Sequence, residues 1–81
     1  MPKIFIKDGF KFFFYSNEGN PREPQHVHIK KGENNAKYWI QPSISLAENY
    51  GFSSKELSWI ETEVYTNIKL IEDTWNDFFD K

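Results

Sequence analysis

Cysteine is absent from this 81-residue chain. That removes disulfides, thiolate nucleophiles and cysteine-based zinc sites together, and it agrees with a reducing cytoplasm. Long apolar runs are also missing. No segment approaches the roughly 20 apolar residues a membrane span needs, and the start of the chain has no apolar run beyond Ile4 to Ile6, so no secretory leader is expected. The four glycines are dispersed, which excludes a glycine-rich phosphate loop. Ser43, Ser45, Ser53 and Ser54 lack a G-x-S-x-G setting. The expectation is a cytoplasmic protein of one domain over residues 1–81, without a membrane partner.

Aromatic residues are plentiful, at 19%, with eight Phe, four Tyr and three Trp. Each ring can bury roughly 150–250 Å², enough for a short chain to build a core. Net charge is −2, but it is unevenly spread. Residues 1–41 carry seven Lys/Arg against four Asp/Glu, and residues 42–81 carry three against eight. A basic half followed by an acidic half points to polar partners for each.

The first half reads as strands. Lys3 to Lys7 and Phe10 to Ser16 flank Asp8-Gly9, a two-residue hairpin signal. This turn pairs Lys7 with Phe10, Phe5 with Phe12 and Ile4 with Phe13. Residues 17–24 read as a loop. A second hairpin, His26 to Lys31 with Ala36 to Gln41, turns either through residues 32–35 or at Asn34-Asn35. Both turns give the same parity. Val27, Ile29, Tyr38 and Ile40 share a core face, whereas His26, His28, Lys30, Lys37, Trp39 and Gln41 share a polar, basic one. Residues 42–52 form a connector, with Leu46 to Tyr50 expected as a helical turn closed by Gly51. Ser53 and Glu56 form a capping box, with Phe52 placed to staple onto Leu57. Leu57, Ile60, Val64, Ile68, Ile71, Trp75 and Phe78 then mark the apolar stripe of one helix over residues 53–79, with Glu61, Glu63, Glu72, Asp73 and Asp77 opposite. The expected fold is α+β: an antiparallel sheet of two hairpins packed on one face by a long C-terminal helix.

Five motifs run nearly end to end. They are G-F-x-F-F-F-Y at Gly9 to Tyr15, R-E-P-x-H-V-H at Arg22 to His28, A-K-Y-W at Ala36 to Trp39, G-F-S-x-x-E-L at Gly51 to Leu57 and W-N-x-F-F at Trp75 to Phe79. Together they resemble a small bacterial family catalogued as domain of unknown function 4160. The resemblance implies a toxin–antitoxin-like component with a cognate antitoxin or other partner protein, and RNA or DNA as a target. It assigns no catalytic residue.

The residues themselves leave several readings of the basic face. His26 and His28 titrate near neutral pH and could act as acid and base on a phosphodiester, with Lys30 or Arg22 balancing charge and Trp39 stacking a base. The same face, with Arg22, Glu23, Lys30, Lys37, Trp39 and Gln41, could bind RNA or DNA without cleaving it. H-x-H places two imidazoles on one face with Cα atoms about 6–7 Å apart, so with Glu33 or Glu23 it could hold a divalent metal such as Zn²⁺, Fe²⁺ or Mn²⁺ for a metal-dependent enzyme. A protein-binding regulator is the third class: the acidic helix suits a basic partner, and the ring-rich outer face of Phe10 to Tyr15 suits a second chain, including a homodimer. The plainest reading makes both histidines ordinary polar residues of an exposed strand.

Overall fold

The computed structural model describes residues 3–16 and 23–79. Five strands form one antiparallel sheet in chain order: β1 (Lys3–Lys7), β2 (Phe10–Phe13), β3 (His26–Lys31), β4 (Asn34–Trp39) and β5 (Ser45–Tyr50). Two helices follow, α1 (Ser54–Thr66) and α2 (Ile68–Phe79). The architecture is α+β, with the helices after the sheet. No helix among the described residues is long and apolar enough to cross a membrane.

Turn chemistry sets the strand register. Asp8 and Gly9 both take positive φ (51° and 82°), the requirement of a type I′ hairpin. Lys7 therefore faces Phe10 and Phe5 faces Phe12. The expected Ile4–Phe13 pair is replaced by Lys3–Phe13, because β1 is irregular between Lys3 and Phe5. The second hairpin turn is tighter than the expected residues 32–35 and earlier than Asn34-Asn35. Gly32, at φ 59°, and Glu33 occupy the turn, so Lys31 faces Asn34. The shift is an even number of residues, so the assignment of side chains to faces survives.

The connector departs from expectation. Leu46 to Tyr50 is strand, not helical turn. The open edge of β4 offers unpaired backbone N–H and C=O groups, and β5 satisfies them. Gly51, at φ 101°, ends this strand instead of a helix. Asn49 then clamps the exit: its Nδ2 donates to the Phe52 carbonyl at 3.0 Å and its Oδ1 accepts from the Phe52 N–H at 3.1 Å.

The capping box forms as the spacing requires. Ser53 Oγ accepts from the Glu56 N–H at 3.1 Å, and Glu56 Oε1 accepts from the Ser53 N–H at 2.9 Å. The single expected helix is broken at Asn67, whose φ and ψ are −108° and 21°. Asn67 directs both its backbone N–H (3.0 Å) and its side-chain Nδ2 (2.8 Å) to the Glu63 carbonyl. Asparagine competes for backbone groups in this way, so the helix breaks without Gly or Pro.

The core lies between one sheet face and the helices. Phe12, Phe14, Val27, Ile29, Tyr38, Ile60, Val64, Ile71 and Trp75 are all buried there. Two expected stripe assignments change. Phe78 remains exposed, and Phe79 packs instead against Trp75, with ring centroids 4.3 Å apart. Glu63, expected on the solvent side, is buried on α1 and accepts an ion pair from Lys7 Nζ at 3.1 Å. The break at Asn67 alters the helical phase, so one uninterrupted stripe cannot describe both helices.

Candidate nucleic-acid interface

The other sheet face follows from strand alternation and register. One row runs Ile6, Lys11, Lys30, Asn35 and Tyr50 across the five strands. The next runs Lys3, Phe13, His28, Lys37 and Glu48. A third joins His26 to Trp39 and Trp39 to Ser45, and Tyr15 leans onto His28 beside it. In the first row every residue but Lys11 is exposed, and Lys11 is half-buried. Lysines and rings are therefore interleaved on this face, where Phe13 is covered by its neighbours and α2 reaches only the His26 end.

Lys11 and Lys30 are direct cross-strand partners. Like charges directly opposite on antiparallel strands destabilise a sheet. Lys37 is the diagonal neighbour of Lys30, because Lys30 faces Asn35 and Lys37 lies two residues further along β4. Diagonal neighbours stand roughly 7–8 Å apart, so three cations track across three adjacent strands. Two of them also lie near a ring on their own strand: Lys11 Nζ is 5.5 Å from the Phe13 ring centre and Lys37 Nζ is 4.3 Å from that of Trp39.

The two histidines have different environments. His28 is half-buried, stacked on Phe13 at 5.6 Å and edge-on to Tyr15 at 4.6 Å. His26, expected on the exposed polar face, is 0% exposed. Its ring meets Trp39 at 5.6 Å, His28 at 5.3 Å and Trp75 of α2 at 5.0 Å. Its Nδ1 lies 2.9 Å from the Pro24 carbonyl, an acceptor only, so Nδ1 carries the proton. Strand parity gives the face correctly, but Trp75 of α2 packs edge-on against this ring and helps to bury it.

Glu23, Lys37 and Trp39 are brought together as grouped from the sequence. Glu23 Oε1 pairs with Lys37 Nζ at 3.1 Å, and the Lys37 side chain is only 14% exposed. Gln41 leaves the face. Strand pairing stops at Trp39, the Ile40 and Gln41 N–H groups both donate to the Gln25 carbonyl, and Gln41 Nε2 donates to Glu72 of α2 at 3.0 Å. Arg22 lies outside the described residues.

Glu33 is also separated from the histidines. It sits exposed in the β3–β4 turn, five residues beyond His28, and five residues of strand span about 16 Å. It cannot complete an H-x-H metal clip. Among the described residues, no three His, Cys, Asp or Glu side chains gather closely enough to hold a metal ion.

The sequence does not single out Lys11 and Tyr15, although Phe10 to Tyr15 present a ring-rich outer face. Their alternation within β2 was legible. What was missing was the β2–β3 pairing, which sets Lys11 beside Lys30 and Tyr15 over His28.

The family model described as "Domain of unknown function (DUF4160)" matches residues 9–76. The chain belongs to this family. No curated protein and no solved structure matches the chain.

Proposed function

We propose that this DUF4160 domain binds single-stranded nucleic acid on its open sheet face, as a binding module and not as a two-histidine nuclease. The cross-strand Lys11–Lys30 pair carries the reading. An arrangement that costs the sheet stability is relieved by an anion laid between the two ammonium groups. A nucleic-acid backbone supplies such anions at regular spacing, and two rings on the same face, exposed Tyr15 and half-buried Trp39, offer stacking surfaces worth about 1–3 kcal/mol per base. Unpaired strands suit an open sheet bearing aromatic rings better than a duplex, whose bases are already stacked. Burial of His26 leaves one reachable imidazole, so this geometry favours binding over paired acid–base cleavage.

Fluorescence anisotropy with a labelled 12-nucleotide RNA, the matching DNA and a duplex tests this. Single strands should bind, with log K falling against log salt by about 0.7 per phosphate neutralised. The RNA should remain intact after incubation. Equal affinity for the duplex, or binding insensitive to salt, would refute the reading.

A second surface supports protein docking, as a toxin–antitoxin-like assembly would require. Leu70 and Phe78 are exposed on α2, eight residues apart, and Asp73 and Asp77 accompany them. Apolar groups flanked by carboxylates suit a basic amphipathic segment of a partner. Leu70→Asp should abolish capture by such a partner while leaving nucleic-acid affinity unchanged.

A further inference from the structure

The Glu23–Lys37 pair marks more than a loop contact. Lys37 belongs to the cation track of Lys11 and Lys30, yet its charge is already engaged. The Glu23 carboxylate lies 3.1 Å from its ammonium, and that ammonium lies 4.3 Å from the Trp39 ring centre. A carboxylate, a buried-stem lysine and an indole in this order reproduce the parts of a phosphate-and-base subsite, with the carboxylate in the position of the phosphate. The Glu23 side chain is 44% exposed, so it can swing away without unpacking the core.

We infer that Lys37 and Trp39 form a second nucleotide subsite, adjacent to the Lys11–Lys30 phosphate position, and that Glu23 occupies it in the free protein. The inference rests on the single-strand reading of the face. The diagonal Lys30–Lys37 separation of roughly 7–8 Å lets two successive phosphates of one strand reach the two lysines, given the flexible lysine stems. An incoming strand then exchanges one anion for another: its phosphate takes the Lys37 ammonium, its base stacks on Trp39, and the Glu23 carboxylate returns to water. Glu48, opposite Lys37 on β5, remains nearby in both states and does not account for the exchange.

The test is a double-mutant cycle on Glu23→Gln and Lys37→Met, read by anisotropy with an eight-nucleotide oligouridylate across a salt series, with the fold of each variant checked by amide NMR. Glu23→Gln should bind about three- to fivefold tighter, the worth of releasing a partly exposed ion pair. Its salt slope should stay the same, because the same phosphates are neutralised in both proteins. Lys37→Met should weaken binding in the native background, lower the salt slope by about 0.7 through loss of one phosphate contact, and cancel the gain in the Glu23→Gln background. If Lys37→Met does not fold, the affinity of Glu23→Gln against the native protein decides. An unchanged affinity in Glu23→Gln, with oligouridylate still bound through Lys11 and Lys30, overturns the subsite and leaves the binding face standing. No binding by any folded variant overturns both.

Discussion

Replacing Lys30 by glutamate should strengthen the fold and weaken nucleic-acid binding at the same time. Lys30 is exposed and faces Lys11 directly. Cross-strand pairs contribute roughly 0.2–1 kcal/mol, favourable for opposite charges and unfavourable for like charges. Removing the repulsion and adding an attraction therefore stabilises the sheet by about 0.5–1.5 kcal/mol, after allowing for solvent screening of exposed pairs. For a domain of this size 1 kcal/mol shifts Tm by about 4–8 °C, so the rise should be roughly 2–12 °C. Oligonucleotide affinity should fall at least tenfold, since a phosphate contact is lost and a repulsive carboxylate replaces it. Lys69→Glu, on the helical side, makes the same net charge change and should leave binding within twofold. Differential scanning fluorimetry and anisotropy read the two effects. A lower Tm for Lys30→Glu, or equal losses of binding in both variants, would refute the reasoning.

Two further perturbations test the account of the fold. Gly51→Ala places a Cβ against the Asn34 side chain at a backbone φ of 101°, and should cost about 1–3 kcal/mol by chemical denaturation. Tyr38 is 1% exposed and donates its hydroxyl to the Leu57 carbonyl at 3.2 Å; burial, assisted by the Glu61 charge, raises its pKa above the usual 10.0. Its unfolded form therefore releases a proton first as pH passes 10, so the stability it contributes is full below that pH and declines above it. Tyr38→Phe should lose about 0.5–1.5 kcal/mol near pH 7 and show a shallower alkaline decline.

The parts of this fold visible in the sequence are those decided locally. Asp8-Gly9 needs positive φ at both positions, so it sets the first turn, and Ser53 with Glu56 sets the first helix start. The period-two pattern of Val27, Ile29, Tyr38 and Ile40 identifies the core face even though the turn lies elsewhere. The features that escaped are decided by partners distant in the chain. Leu46 to Tyr50 becomes strand because β4 has an open edge, and the helix breaks because Asn67 takes the Glu63 carbonyl. His26 is buried by Trp75, 49 residues away, so no strand pattern could show that it is closed to solvent.

The candidate site divides in the same way. Glu23, Lys37 and Trp39 meet as their strand positions suggest. Lys11 joins Lys30 only through the β2–β3 pairing, which links residues 19 apart in the chain and leaves no short-range signal. Gln41 leaves the site because it lies beyond the end of the strand expected to hold it, and Glu33 stays in the turn, away from the histidines.

The central claim is that a single strand lies across the open sheet face. An amide NMR titration of the protein with oligouridylate at low salt, in EDTA, tests it most directly. The account predicts that the largest shifts fall on Lys11, Lys30, Lys37 and Trp39 and that α1 and α2 stay nearly still. Shifts centred on the helices, or none at concentrations where the anisotropy probe is bound, would contradict it.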